Sequence, residues 1–236
     1  MGRGEDLANR IARELAGKRS AARAKGEKAY LKSDLVHVGV PMPAIRSTVA
    51  ASLREVRDLS RAELLAAVRK LWGGVHEHRM AAIELLTMRG KLLTSADVKL
   101  VEKLLRDSKS WAYVDVLAAR VMGGLIDHDP ELVRTLDRWA KDKNFWLRRS
   151  ALLALLGPLR GGAGDFTRFG RYADAMLDEK EFFIRKAIGW VLRETGRKQP
   201  KLVFDWLLPR AERASGVTMR EAVKYLPAPQ RARLGR

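Results

Sequence analysis

The chain contains no cysteine and has no long apolar run. Without cysteine, disulfide bonds and thiolate chemistry are both excluded. No segment approaches the roughly 18 to 20 consecutive apolar residues that a membrane-spanning helix requires. The first residues, MGRGEDLANR, are charged and lack the apolar centre of a signal peptide. We therefore expect a soluble intracellular protein, in a cytoplasm of the bacterial type.

Acidic residues are scarce relative to basic ones. Lysine and arginine together number 46 against 28 aspartates and glutamates, which gives a net charge of +18. A protein this basic favours a polyanionic partner, with nucleic acid ahead of an anionic membrane. The simpler alternative is a soluble protein from an organism whose proteins are generally basic. The 236 residues suffice for one large domain, which we place at 1–236 with mobile ends at 1–5 and 228–236.

Strand-like alternation is also lacking, and helical periodicity dominates. In LSRAELLAAVRKLW, residues 59–72, apolar side chains recur every three or four positions. Ser60 and Glu63 have the spacing of a capping box, and Thr94 and Asp97 repeat it. Asp129 followed by Pro130 is a further helix start. The sequence predicts an all-α protein of about twelve helices.

A short pattern recurs along the chain. An Arg-x-Ala followed by apolar residues begins at Arg79, Arg149, Arg185 and Arg220. The last two intervals are 36 and 35 residues, and the first is 70, or two periods. One period of 36 after Arg79 falls on Asp115, and Arg46 lies 33 residues before Arg79. This period predicts a right-handed solenoid of about six HEAT-like helical repeats with a concave basic groove.

We call the recurring position, residues 46, 79, 115, 149, 185 and 220, the rung of each repeat. It is Arg in five repeats and Asp in one. An arginine in a helical repeat commonly hydrogen-bonds a neighbouring repeat, which is one interpretation. In a protein of charge +18 the alternative is a groove that grips phosphates, for which the planar guanidinium is well suited. The predicted DNA-binding residues are Arg46, Arg79, Arg148, Arg149, Arg185, Lys186 and Arg193.

Asp115 fits neither interpretation of the rung. A carboxylate repels phosphate, so it is either salt-bridged to Arg149 or Arg79 or present for chemistry. Trp111 lies four residues earlier in SKSWAYVDVL, on the same face of a helix. Trp111 and Trp190 are the aromatic residues that we associate with a site.

Other aromatic and histidine residues are expected to be structural. We predict that most aromatic residues near the rungs belong to the core. The two histidines of HEH, residues 76–78, diverge on a helix, so that this pair predicts no metal site. The predicted core aromatics are Trp72, Trp139, Phe145, Phe182 and Trp206.

Four stretches together resemble a known family. They are EKAYLKSDLVHVGVPMPAIR (27–46), SKSWAYVDVL (108–117), DKNFWLRRSALLALL (142–156) and KEFFIRKAIGWVLRE (180–194). They resemble the alkylpurine DNA glycosylases built of HEAT-like repeats, the AlkD type, over about residues 5 to 226. The sequence departs from the family pattern at Ala112, where relatives commonly carry an acid, and in the glycine-rich GGAG at 161–164.

The resemblance implies a specific activity. Such enzymes hydrolyse the N-glycosidic bond of cationic N3- and N7-alkylated purines in duplex DNA, without base flipping. The family motifs fall on Trp111, Asp115, Arg149 and Trp190. By resemblance, Asp115 stabilises the oxocarbenium-like sugar and positions water, the two tryptophans flank the sugar, and Arg149 holds phosphate. The resemblance implies no metal, no cofactor, no membrane and a monomeric enzyme that binds alkylated double-stranded DNA.

Two other functions stay open at this point. Solenoids of this type include non-catalytic binders of duplex or branched DNA, although binding alone gains nothing from an acid in the groove. A protein-interaction scaffold is the third possibility. A scaffold predicts no steep salt dependence of binding to plain duplex DNA.

Overall fold

The computed structural model describes residues 2–235 and is all-α. Apart from an isolated bridge between Val36 and Val75, no β-pairing occurs among these residues. None of the described helices is both long enough and apolar enough to cross a membrane. The prediction of an all-α protein is confirmed.

The chain divides into two compact units, of which the first ends at Leu117 and the second begins at Ala118. In the first unit, α1 packs against α3, α4 and α5. Its Leu7, Ile11 and Leu15 are completely or almost completely buried. The helices of this unit are α1 (Arg3–Ala16), α2 (Ala21–Leu31), α3 (Met42–Glu55), α4 (Arg61–Leu71), α5 (His76–Met88), α6 (Val98–Asp107) and α7 (Trp111–Val116).

In the second unit, α13 lies at the centre and packs against α10, α11, α14 and α15. Its Ala187, Ile188, Val191 and Leu192 are fully buried. A π-helix, Leu117–Met122, joins α7 to the first helix of this unit. The helices are α8 (Gly123–His128), α9 (Val133–Trp139), α10 (Phe145–Leu153), α11 (Leu156–Arg160), α12 (Phe166–Ala175), α13 (Phe182–Gly196), α14 (Pro200–Leu207), α15 (Gly216–Ala222) and α16 (Ala228–Arg233).

Helix starts follow the local signals in the sequence. The Ser60 hydroxyl accepts from the Glu63 N–H, and the Glu63 carboxylate accepts from the Ser60 N–H at 2.8 Å. Thr94 and Asp97 form the second predicted capping box, although the chain first makes a 3₁₀ turn there, Ser95–Asp97, before α6. Asp129 caps a 3₁₀ turn that begins with Pro130. The three predicted helix starts are confirmed.

The rung is the fourth or fifth residue of its helix in every repeat. Arg46, Asp115, Arg149 and Arg220 are each the fifth residue of their helix, since these helices begin at 42, 111, 145 and 216. Arg79 and Arg185 are each the fourth residue, in the helices that begin at 76 and 182. The period read from the sequence therefore places equivalent residues at equivalent points of successive helices.

The predicted aromatic core is only partly confirmed. Trp139 is fully buried, whereas Trp72, Phe145 and Trp206 are half-buried. Phe182 was predicted wrongly, because its side chain is 52% exposed. It is the first residue of α13, and a residue in that position can extend beyond the neighbouring helices.

The predicted single domain and its mobile ends remain predictions. Compact units within a repeat array are not in themselves separate domains. Residues 1 and 236 lie outside the described residues. Between them, α1 already begins at Arg3 with Gly4 buried, and α16 covers Ala228–Arg233 with Leu234 buried after it. The described part of both ends is thus largely helical. The glycine-rich GGAG at 161–164 lies in the loop that connects α11 to α12, with positive φ at Gly162 and Gly164.

Candidate functional site

Helix α7 carries two of the three predicted catalytic residues. The hydroxyl of Ser110 accepts from the Ala112 N–H at 3.3 Å and fixes the start of the helix at Trp111. Tyr113 and Val114 are buried and anchor the helix to the core of its unit. Trp111 remains 36% exposed, and Asp115 is half-buried. The indole and the carboxylate thus lie one turn apart on the same side of α7.

The backbone changes character directly after these residues. Leu117–Met122 forms a π-helix, two residues beyond Asp115. π-Helical turns are rare and occur frequently at functional sites, since the wider turn shifts the register of the side chains around it. The local backbone therefore sets α7 apart from the other rung helices.

A neighbour of Trp111 escaped the sequence analysis. The ring of Tyr30 meets the indole of Trp111 edge-on, with the centroids 6.2 Å apart. Tyr30 lies in the last turn of α2 and is 73% exposed, and none of the eleven residues of α2 is buried. The signal in the sequence was an aromatic residue, Tyr30, among several lysines, a combination that is common in nucleic-acid-binding segments.

A small cavity lies beside this helix, within the first unit. Its volume is about 130 Å³, and its wall includes the cationic side chains of Lys32, Arg79 and Lys109 together with Ser110. Two carboxylates, Asp34 and Asp107, also line it. Lys109 Nζ is 3.4 Å from Asp34 Oδ2, an exposed ion pair. Exposed pairs of this kind are weak, so Lys109 remains available to an anion that binds it more strongly.

In the first unit, the two rung arginines have protein partners. Arg46 Nε lies 3.0 Å from the carboxylate of Glu84, which is buried. Arg79 donates from Nε to the Gly73 carbonyl at 2.7 Å and from Nη1 to the Asp107 carbonyl at 3.2 Å. Its guanidinium also lies 5.0 Å from the ring centre of Trp72. Arg79 therefore ties α5 to the end of α6, as the inter-repeat interpretation predicts.

The second unit repeats that arrangement. Arg149 is 2% exposed, donates to the Phe183 carbonyl and lies over the Phe183 ring. Arg148 forms a two-pronged pair with Glu179, at 2.9 and 2.8 Å. Arg185 donates from Nε to the Glu179 carbonyl at 2.6 Å. Arg148 and Arg149 therefore join α10 to the segment that begins α13, whereas Arg185 ties α13 to the residues just before it.

On α13, the two remaining predicted cations share one carboxylate. Lys186 and Arg193 both pair with Glu221 of α15. Burial acts to raise the pKa of Glu221, but the Lys186 hydrogen bond and the Arg193 charge outweigh it and lower that pKa. Trp190 is half-buried on the same helix, four residues after Lys186 and three before Arg193. Indole and cations thus share one helical face.

The predicted site residues therefore separate into two kinds. Trp111 and Asp115 lie one turn apart on α7, the first exposed and the second half-buried. The predicted DNA-binding cations all have partners within the protein, which the spacing in the sequence did not reveal. Arg185 makes its contact within the described residues through Nε alone, so its two terminal nitrogens still have hydrogens to donate.

The fold resembles that of solved structures of other proteins. A DNA alkylation repair enzyme from Enterococcus faecalis, described as predicted, has 22% identity and a TM-score of 0.80, over 89% of this chain and 98% of that one. AlkD2 from Streptococcus mutans has 18% identity and a TM-score of 0.62, over 87% of this chain and 100% of that one. No curated protein matches. At these identities the likeness shows the fold.

The family assignment rests on the sequence itself. The family model for DNA alkylation repair enzymes matches residues 11–226. The matched residues include α7 with Trp111 and Asp115, every rung from Arg46 to Arg220, and Trp190. A match over so much of the chain, together with the shared all-α repeat fold, shows that the chain belongs to the family of DNA alkylation repair enzymes.

Proposed function

We propose that this DNA alkylation repair protein is a monofunctional glycosylase. It hydrolyses the N-glycosidic bond of N3- and N7-alkylated purines in duplex DNA. The observation that carries the proposal is that α7 places an exposed Trp111 one turn from the half-buried carboxylate of Asp115. The overall charge of +18 supports DNA as the partner.

The chemistry requires little from the protein. Alkylation of a ring nitrogen makes the purine a cation and a good leaving group, so that no general acid is needed. As the C1′–N bond breaks, its electron pair neutralises the base, and positive charge develops on the sugar. The carboxylate of Asp115 stabilises that charge and accepts a proton from the water that attacks C1′. The products are a neutral alkylated base and an abasic sugar.

The tryptophans supply a second source of stabilisation. An indole face attracts a cationic centre, typically by ~0.5 to 2 kcal/mol. On this proposal Trp111 and Trp190 flank the sugar while the damaged nucleotide stays in the duplex. Because the transition state is contacted from the backbone side, the proposal requires no base pocket. In line with the family resemblance, it includes no catalytic metal and no organic cofactor, and the enzyme acts as a monomer.

Phosphate contacts complete the proposal. Lys32, Arg79 and Lys109 line the cavity that also includes Ser110, the residue just before Trp111. Arg185 keeps free donor hydrogens, and Arg46 remains largely exposed despite its bond to Glu84. A guanidinium that already holds a carbonyl or carboxylate through one edge is pre-oriented to meet a phosphate with the other. Arg148, Arg149, Lys186 and Arg193 belong to the same proposed set.

The decisive experiment is base release from duplex DNA that carries N7-methylguanine. Asp115→Asn removes the charge but keeps the side-chain shape, so we expect the excision rate to fall by about a hundredfold or more. Binding to the same duplex is expected to persist. Asp127→Asn, an exposed acid on α8, is the matched control and keeps full activity.

Three results would contradict this proposal. Full excision by Asp115→Asn would remove Asp115 from the mechanism. No release by the parent protein, together with salt-dependent duplex binding, would instead identify a non-catalytic DNA binder. A salt titration that shows no steep slope would favour a protein scaffold.

A further inference from the structure

A cluster of three potential metal ligands lies in the first unit, apart from the proposed catalytic pair. It consists of Glu27 on α2, His37 in the segment before α3, and His76 at the start of α5. One ligand atom from each residue lies within 4.8 Å of the other two. The three residues come from different elements, so only the fold brings them together.

Several polar atoms of this cluster are buried without a partner among the described residues. They are Oε2 of Glu27 and both ring nitrogens of His37. A buried polar atom without a hydrogen bond typically costs ~1 to 3 kcal/mol, and such atoms are rare in native proteins. Three of them together, all on metal-binding side chains, indicate a missing ligand.

His76 is already prepared for such a ligand. It is 3% exposed, and its Nδ1 lies 2.6 Å from the hydroxyl of Tyr113. When Nδ1–H donates to that hydroxyl, Nε2 carries the lone pair. Histidines that bind metals are commonly oriented in this way by a partner on the other nitrogen.

We propose that Glu27, His37 and His76 form a binding site for a transition-metal ion of the Zn²⁺ class. Two imidazoles and one carboxylate are a donor set typical of Zn²⁺, whereas Mg²⁺ and Ca²⁺ prefer oxygen ligands alone. Tyr113 is the outer partner that orients His76. His78, the other histidine of HEH, is not part of the cluster.

Metal binding requires a defined local change. The rings of His37 and His76 are stacked, with centroids 4.3 Å apart and planes at 9°. A metal ion lies in the plane of each imidazole that binds it, so two parallel rings cannot share one ion. Ligand atoms around Zn²⁺ are also closer together, roughly 3.3 Å apart from the usual bond lengths. The His37 ring must therefore turn out of the stack and move toward His76.

The site would fasten a weakly anchored helix. The start of α2 is held where the Ser20 N–H donates to the Val38 carbonyl at 2.9 Å. No residue of α2 is buried, so its later turns have little apolar packing. Glu27 lies one turn before Tyr30, the residue that contacts Trp111. A metal bond at Glu27 would thus hold Tyr30 in place, and no chemical step of the proposed glycosylase passes through the ion.

The test uses the untagged full-length protein, stripped with a chelator and then dialysed against Zn²⁺ or Co²⁺. We expect elemental analysis to find one metal ion per chain. The Co²⁺ form should show the visible absorption that is typical of Co²⁺ with few ligands. Zn²⁺ should raise the melting temperature of the protein. Glu27→Gln and His37→Asn are each expected to weaken binding by about a hundredfold or more. Tyr113→Phe keeps the ring but loses the bond to His76, and should weaken binding about tenfold.

His128→Gln is the matched control, since His128 is exposed on α8 and lies outside the cluster. It should bind metal as the parent does. Absence of a bound ion and of a Co²⁺ spectrum in the parent would overturn the site. Unchanged affinity in both Glu27→Gln and His37→Asn would overturn it as well. These readouts do not depend on base excision, so they are independent of the proposed function.

Discussion

Helices α7 and α10 use the same position of the repeat in opposite ways. Each begins with an aromatic residue and carries its rung at the fifth position, Asp115 in α7 and Arg149 in α10. In α10, Arg149 is buried and donates to a backbone carbonyl. Trp146, the second residue of that helix, is only 8% exposed. In α7, Asp115 is half-buried and Trp111 is 36% exposed.

The two helices differ in whether the tryptophan and the rung take part in packing. In α10 the aromatic residue and the rung both contribute to packing, since Trp146 lies against Phe183 with the ring centres 5.0 Å apart. In α7 packing is provided by Tyr113 and Val114 instead, and a π-helix follows. On the proposed function, the rung and the tryptophan of α7 are the residues that serve catalysis instead of packing.

The largest expected contrast is between the two tryptophans. Trp146→Ala should lower the free energy of unfolding by about 3 to 5 kcal/mol, because it leaves a cavity among aromatic rings. Trp111→Ala should cost about 1 kcal/mol or less, because much of the indole is already in water. Its expected effect is a slower excision of N7-methylguanine, by about tenfold. Urea unfolding and base-release rates measure the two effects.

Equal destabilisation by both substitutions would remove the distinction between α7 and α10. Trp146→Phe is a useful control, since a smaller ring still fills part of the space. It should recover much of the lost stability.

A second contrast concerns two rungs that are both arginine. Arg149→Ala leaves the Phe183 carbonyl without its donor and should cost about 2 kcal/mol of stability. Arg220 is exposed and has no hydrogen bond or ion pair within the described residues, so Arg220→Ala should change stability by no more than about 0.5 kcal/mol. If both contact phosphate, each substitution lowers the salt slope of DNA binding by about 1.

Binding to an undamaged duplex over a range of salt concentrations, beside urea unfolding, measures both quantities. A destabilised Arg149→Ala with an unchanged salt slope would show that this rung serves cohesion alone. Arg149 would then leave the proposed DNA-binding set. The salt slope of Arg220→Ala would show separately whether Arg220 contacts phosphate.

The sequence was informative where the determinants are local. Capping pairs such as Ser60 and Glu63 act within one turn, and the rung period follows from the length of a helix pair. The partner of an arginine depends instead on a distant backbone carbonyl, as with Arg149 and Phe183, which spacing does not encode. The cluster of Glu27, His37 and His76 was invisible for the same reason.

Tyr30 illustrates the same limit on the functional side. It lies within the stretch that resembles the family, yet nothing in that stretch says that its ring meets Trp111. Only the fold places the last turn of α2 beside the first turn of α7. The resemblance predicted the residues that belong to motifs, and the structure added one that does not.

The smallest expected effect tests this contact. Tyr30 is 73% exposed, so Tyr30→Ala should change the free energy of unfolding by no more than about 0.5 kcal/mol. Stacking of an aromatic side chain on a nucleobase is worth ~1 to 3 kcal/mol, so loss of such a contact should slow excision about tenfold. Tyr30→Phe keeps the ring and should retain most of the activity. Base-release rates at limiting DNA concentration distinguish the two variants.

The result also bears on the difference between α7 and α10. The excision rates of Tyr30→Ala and Trp111→Ala can be compared with that of the double variant. If each single variant slows excision to a similar extent and the double variant is little slower, the two rings act as one unit. Additive effects would mean that each ring meets DNA separately. Full activity in Tyr30→Ala would reduce the contact with Trp111 to surface packing. The functional part of the first unit would then be confined to α7, where the exposed indole and the half-buried carboxylate already differ from every arginine rung.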